Sequence, residues 1–501
     1  MTDTPAYDTL TDTHGRLHRL GHLQSMAGWD QAANMPPKGQ RARAEALGEM
    51  AALLHRIATD PALGEHIARA EQEPLSELQR ANLREIRREW QQATALPEEL
   101  VQRRQLATSR CEHAWRTQRP ANDWAGFVPN MREVLRIARE EATLLAERSG
   151  QSRYEAMMDR FEPGMTCATV DRVFGDLRQW LPGLIRQVIE RQSRQPLIVP
   201  EGPFALPAQR ALCDQVKRLL GFDFEAGRLD VSTHPFCGGV PEDVRMTTRF
   251  RDDEFLGSLM GTVHETGHGR YEQNLPRELL GQPVAEARSA ALHESQSLSF
   301  EMQLGGHPGF MALLAPRVAE AFGAQPAFTA QNLHRLITRV KPGLIRVDAD
   351  EVTYPAHIIL RYEIERPLIE GEIEVEDIPA LWDAKMMELL GLDTRGNFKD
   401  GPLQDVHWPE GLFGYFPCYS LGAMFAAQWF AAMRRALPEL DAHIQRGHFT
   451  PIFDWLQQQI WSQGSRWTTD ELARRASGET LNPAHLQAHL RSRYLADGRD
   501  G

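Results

Sequence analysis

The sequence predicts a mainly α-helical protein, on three observations. Apolar residues recur at spacings of three and four along most of the chain, the period of one helix face. Two-residue alternation is confined to one short stretch. No repeat of 20 to 50 residues and no Ser/Gly/Pro-rich tether interrupts the 501 residues, so residues 1–501 are expected to form one unit. With 42% apolar and 25% charged residues, the chain can bury a sizeable core and lies outside the disordered and low-complexity classes.

The elements follow in order. Ala44, Leu47, Met50, Leu54 and Ile57 share one helix face. Residues 75–90 carry Leu75, Leu78, Ala81 and Ile86 among many charges, and residues 134–145 carry Val134, Leu135, Ala138, Ala142 and Leu145. Thr166 reads as an N-cap before Val170, Val173, Phe174 and Leu177. A helical part of about residues 1–200 is thus expected to form one wall of the molecule, with the catalytic part in about 201–501. Residues 229–236 and 243–250 read as a small β-hairpin joined by Cys237, Gly238, Gly239 and Val240. Further on, Phe255, Leu256, Leu259, Met260 and Val263 give the apolar side of a helix, and residues 292–298 form a second helix beyond a loop containing Pro276, Gly281 and Pro283. The longest apolar run, 421–433, is interrupted by Gln428 and falls short of the roughly 20 residues that span a bilayer, so it reads as a buried helix.

A net charge of −12 argues against a dominant nucleic-acid or anionic-membrane surface. The N-terminus shows no basic segment followed by an apolar run, hence no secretory signal. Five scattered cysteines without a CxxC pair suggest reduced thiols in the cytoplasm and no cysteine-based zinc site.

The chemistry is carried by His264-Glu265-Thr266-Gly267-His268, an HExxH sequence. On a helix the two histidines lie one turn apart on one face, so both imidazoles reach one zinc ion. Glu265 is then placed to take a proton from the water that attacks a carbonyl. A third ligand must come from another element. Glu272 stands about 12 Å from His264 by helical rise and cannot share the ion. Glu278, Glu286, Glu294 and Glu301 are the nearby candidates, with Glu294 favoured because it lies on the next helix. His293, its neighbour, points about 100° away and is read as a residue behind the ligands or in the cleft wall.

The chain resembles the carboxypeptidase Taq family of metallocarboxypeptidases, and the resemblance covers most of its length. His234-Pro235-Phe236 matches the HPF motif, Asp243 to Thr247 matches DxRxT, and His293-Glu294-Ser295 matches the HES that supplies the third zinc ligand. Ile345 to Asp350 matches IRxxAD, and Gly401 to Trp408 matches GxxQDxHW. The resemblance implies a large helical gluzincin-type peptidase with a deep groove and a small β element beside the metal. It implies a homodimer that removes residues from the free C-termini of peptides, with Zn²⁺ on His264, His268 and Glu294, Co²⁺ suiting the same ligands, and Glu265 as general base. Departures from the family pattern, Gly269-Arg270 and Cys418, touch no expected ligand.

A free C-terminal carboxylate needs a partner at a set distance from the metal, and a planar guanidinium can bind both its oxygens. Arg346 is favoured, with Asp348 and Asp350 as its expected orienting neighbours, and Arg245 ranks second. His234 is expected to hydrogen-bond substrate. His407, Tyr419 and Tyr415 are the candidate donors to the oxyanion. Two rival functions remain at this stage: an oligopeptidase cutting within short peptides in a comparable groove, and a non-catalytic helical peptide-binding scaffold.

Overall fold

The computed structural model describes residues 4–232 and 236–496. Helices dominate it, with one three-stranded sheet among the described residues. Helices Pro5–Ala33, Pro61–Ala70 and Glu77–Ala93 close a small core of their own, containing Tyr7, Leu10, Leu63, Ile67, Leu83 and Ile86. Helix Gln40–Ala58 lies outside that core. Its expected apolar face exists, but Leu47, Met50, Leu54 and Ile57 are only half-buried and Ala44 is exposed, because the helix packs chiefly on Pro5–Ala33.

The main core begins with Leu100, Ala107, Cys111 and Trp115 of helix Glu98–Gln118 and continues into helix Trp124–Ser149, which buries all five residues of the 134–145 pattern. Helix Cys167–Ser193 starts as expected: Thr166 Oγ1 accepts from the Thr169 N–H at 3.2 Å. The run 421–433 lies inside helix Pro417–Ala436 and is buried along most of its length. Gln428, the residue that interrupts the run, is fully buried. It donates to Ser477 Oγ at 2.7 Å and accepts from the Asn482 N–H at 2.9 Å, so a polar side chain in the core ties down the C-terminal segment.

The sheet corrects the hairpin reading. Strand β1 (Gly227–Val231) runs parallel to β3 (Asp243–Thr248), not antiparallel, and the hairpin partner is β2 (Cys237–Val240), the stretch read as the connection. The order is β1-β3-β2. β2 and β3 are joined by Pro241 and Glu242, with Val240 paired to Asp243. Glycine is required in β2: Gly239 sits at φ +112°, and a Cβ there would lie 2.1 Å from the Asp243 carbonyl oxygen. The two glycines that look like a turn in sequence are strand residues, and Gly239 is the one that admits close approach.

Two other glycines set the spacing of the helices that matter most. A Cβ on Gly267, inside the HExxH, would stand 2.5 Å from Gln296 O and 2.6 Å from Ser297 Cα. Helix Leu256–Gln273 therefore crosses helix Ala290–Leu298 in backbone contact. A Cβ on Gly422 would stand 2.8 Å from Glu294 Cβ, so helix Pro417–Ala436 packs directly behind Glu294. Glycine inside a helix costs about 1 kcal/mol against alanine, and here the close packing of three helices offsets it.

Candidate metal centre and groove

His264 and His268 project from helix Leu256–Gln273 and Glu294 from helix Ala290–Leu298; one donor atom from each lies within 4.8 Å of the others. Glu294 Oε2 is 3.3 Å from His268 Nε2 and 3.9 Å from His264 Nε2. Each histidine is held through its other ring nitrogen. His264 Nδ1–H donates to Glu301 Oε2 at 2.8 Å. His268 Nδ1 meets His293 Nδ1 at 2.6 Å, and His293 Nε2 meets Glu272 Oε1 at 2.7 Å. A neutral His293 that donates from Nε2 to Glu272 can accept from His268 at Nδ1, and that arrangement leaves the His268 Nε2 lone pair facing inward.

Glu301 and Glu272, both outside the ligand set, thus each fix a ligand's orientation. Glu301 sits on a π-helical turn, Ser299–Gly305, that directly continues the Glu294 helix. His293 falls behind the ligands, in line with its place one residue from Glu294.

The electrostatics are those of a cation site. Burial opposes ionisation of Glu294, but His264 and His268 overcome it and hold its carboxyl well below the usual range, at about 2. Burial likewise opposes the charge on His264, and Glu294 with Glu301 outweighs it, pushing the imidazole up to about 10. Glu265 lies alongside, and burial pushes it up to about 7 against the pull of His264. Its Oε2 is buried with no hydrogen-bond partner among the described residues. Once an incoming ion displaces the proton from His264 Nε2, two imidazole nitrogens, an ionised carboxylate and an unpartnered carboxyl oxygen fit a divalent cation with water beside it.

A groove of about 790 Å³ surrounds this centre. It is lined by Phe236 and Cys237 at the sheet, by Arg346, Tyr354, Tyr415 and Tyr419 on the other side, and by Arg160 and Phe161 from the first 200 residues. The N-terminal part touches the centre here: the Phe161 carbonyl accepts from Ala290 N–H at 2.9 Å and Glu162 Oε2 from Ala291 N–H at 3.1 Å, so residues 161–162 cap the Glu294 helix.

Arg346 is buried at the groove wall. Asp405, not Asp348 or Asp350, orients it: Nε and Nη2 donate to the two Asp405 oxygens at 3.0 and 2.9 Å, and Nη1 donates to Tyr354 Oη at 2.6 Å. Asp350 instead accepts from the backbone N–H groups of Val352 and Thr353. Asp405 also accepts from Arg361 at 2.6 Å. Arg245 is placed elsewhere: it pairs with Asp243 at 2.9 Å, lies 4.6 Å over the Trp29 ring, and does not line the groove. His407 Nε2 is 3.3 Å from Tyr419 Oη behind the groove-lining tyrosines, and burial with the two nearby arginines keeps its pKa down at about 3. His234 lies outside the described residues.

Sequence reasoning left Tyr354 and Asp405 without roles. Asp405 stood inside the GxxQDxHW match, which was a signal. Tyr354 had none, because only the fold brings a residue eight positions on from Arg346 back against its guanidinium.

The chain is similar to several known proteins. The family profile described as carboxypeptidase Taq (M32) metallopeptidase matches residues 9–494. Thermostable carboxypeptidase 1 of Thermus thermophilus is 37% identical, over 99% of each chain. Among solved structures, metallocarboxypeptidase 1 of Trypanosoma cruzi is 49% identical with a TM-score of 0.97, over 98% of this chain and all of that one. An M32 carboxypeptidase of Deinococcus radiodurans is 33% identical with a TM-score of 0.91, over 98% of both chains.

Proposed function

The chain belongs to the carboxypeptidase Taq (M32) family of metallopeptidases, and from that membership we propose how its own residues hydrolyse the C-terminal bond of a peptide. It is a metallocarboxypeptidase, a peptide-bond hydrolase that works with a divalent metal. Neither the oligopeptidase nor the scaffold reading is favoured.

The observation that carries the proposal is the unpartnered, buried Glu265 oxygen beside the convergent His264, His268 and Glu294. These three residues would hold the metal. Two imidazoles and a carboxylate suit Zn²⁺, with Co²⁺ next. When bound, the ion polarises the scissile carbonyl and makes water acidic enough to lose a proton near neutral pH. Glu265 takes that proton on its free oxygen and passes it to the departing amine nitrogen. The Glu301 and His293–Glu272 contacts keep both histidines in one tautomer through the cycle.

Burial raises the Tyr415 and Tyr419 hydroxyls above the ordinary phenol range, so both keep their protons and can donate to the developing oxyanion, with His407 steadying Tyr419. Arg346 uses three of its five N–H groups on Asp405 and Tyr354; among the described residues two remain to bind the terminal carboxylate. This makes the specificity broad, because the clamp reads the terminus and not the side chain. His234 stays a candidate substrate contact, whereas Arg245, held by Asp243 and Trp29 away from the groove, is not kept as a clamp. For the whole protein the reading is a homodimer in the cytoplasm. The dimer rests on the family resemblance, and the compartment on five unbridged cysteines. Among the described residues no helix is long and apolar enough to cross a membrane.

The test is a mass-spectrometric time course on one peptide with a free C-terminus and its amidated twin, with and without a chelator. Stepwise shortening of the free peptide alone, abolished by chelation and restored by Zn²⁺, is expected. Equal cleavage of the amidated twin would overturn the terminal-carboxylate role of Arg346.

A further inference from the structure

The groove carries a second arginine position that the mechanism above does not use. Arg160 and Arg288 both line it, and Arg288 Nη1 donates to the Pro163 carbonyl at 3.1 Å, three residues after Arg160, so the two are anchored to one short segment. Each is under-compensated. Arg160 shares one oxygen of Glu141 with Arg104, at 2.8 and 2.6 Å. Arg288 shares one oxygen of Glu85 with Arg84, at 3.0 and 2.6 Å. Both carboxylates are buried, and two guanidiniums on one carboxylate leave a positive charge over at Arg160; at Arg288 the buried Glu162, pushed up to about 7, offsets that surplus only in part. Burial lowers the Arg160 pKa by more than Glu141 restores, so an anion brought to it recovers what desolvation costs.

A line of rings connects this position to the other arginine. The Arg346 guanidinium lies 5.0 Å over Tyr419, Tyr419 is 5.3 Å from Tyr415, Tyr415 is 5.1 Å from Phe161, and Arg160 lies 5.8 Å over Phe161. Steps of that size span at most about six residues of extended peptide at ~3.3 Å each.

We infer that Arg160 and Arg288 form an anionic subsite that takes an Asp or Glu side chain of the substrate, a few residues upstream of the bond that is cut. The direction rests on the reading that the peptide's terminus sits at Arg346. The subsite makes the enzyme favour acidic peptides at one register while the residue released stays unrestricted.

The test uses octapeptides with free C-termini in which Glu replaces Gln at one position at a time, assayed on the parent protein, Arg160→Gln and Arg160→Lys. The parent is expected to favour Glu about tenfold in kcat/KM, chiefly through KM, at one or two adjacent upstream positions, as a charge-assisted contact should. Arg160→Gln should bring that ratio to within about twofold, and Arg160→Lys should restore part of it. A Glu/Gln ratio near one at every position of the parent overturns the subsite, and so does a preference that survives Arg160→Gln. A preference confined to the released residue overturns its upstream placement while leaving carboxypeptidase activity intact. Failure of the Arg346 clamp is read separately, from the free and amidated pair.

Discussion

Two walls of one groove hold charge in opposite ways. Around the metal centre, Glu265, Glu294 and Glu301 crowd two histidines, and one carboxyl oxygen is left buried without a partner. Across from it, Arg346 and Arg361 share the single carboxylate of Asp405, and the Arg361 guanidinium carbon lies 4.5 to 4.8 Å over the rings of Trp408, Trp382 and Phe416. The first wall gathers acid, as the proposed cation site requires. The second gathers guanidinium, as the proposed carboxylate clamp requires. Residue type alone does not separate these cases, since the chain is full of Arg–Glu pairs that simply neutralise each other. The surplus, held in place by burial, marks where a ligand binds.

The largest break in this contrast is at the acidic wall. Glu294→Ala removes the one ionised ligand, so metal content measured by elemental analysis should fall steeply and activity with it. Undiminished metal would remove Glu294 from the centre. Glu265→Gln leaves every ligand in place; it should keep the metal and lose about a thousandfold in kcat, within the usual range for a general base. Substantial residual turnover would count against the base role.

Arg346→Ala strikes the basic wall and should cost about 30- to several-thousand-fold in kcat/KM on free peptides. Asp405 then keeps only Arg361, so the melting temperature should fall as well. Selectivity makes the distinction: amidated peptides should lose little more than they already lack, whereas an equal loss on both would make Arg346 purely structural. A smaller effect is expected one contact behind the ligands. His293→Ala breaks the relay from Glu272 to His268, and metal affinity by competitive chelation should drop about 10- to 100-fold.

The smallest effect sharpens the compensated side. Glu351, at the groove wall, accepts from His489 at 2.6 Å, Arg493 at 3.1 Å and Tyr494 at 2.9 Å. Burial opposes its charge, but Arg493 and His489 prevail and hold its pKa down at about 2, below an unfolded value of 4.5. A depressed carboxyl stabilises the fold above the unfolded value and loses that contribution as pH falls toward the folded one. Stability should therefore decline between about pH 4.5 and 2, by at most roughly 3 kcal/mol from this group. Glu351→Gln should flatten that part of the pH–stability curve, and an unchanged slope would show that another group titrates there.

Much of this was readable along the chain because it rests on local periodicity. Helix rise and turn put His264 and His268 on one face whatever surrounds them, and the same period located the faces at 134–145 and 421–433. The N-cap at Thr166 likewise needs only its own next turn. Strand pairing does not work this way: β1 and β3 show alternation, but alternation cannot tell a parallel partner from an antiparallel one, and Gly238-Gly239 mimicked a turn where the strands needed close approach.

The sequence by itself determined the helical class and the HExxH pair, and with the family resemblance it offered Glu265 as the proposed base and Glu294 as the proposed third ligand. Only the tertiary structure decided that Glu301 and the His293–Glu272 pair orient the histidines, that Asp405 and Tyr354 hold Arg346, and that Arg245 faces Trp29 rather than the groove. The reason is the range of the interactions. Backbone geometry and capping act within a turn or two and leave a period in the sequence, whereas a buried charge chooses its partner across 37 or 59 residues according to which helices glycine allows to touch.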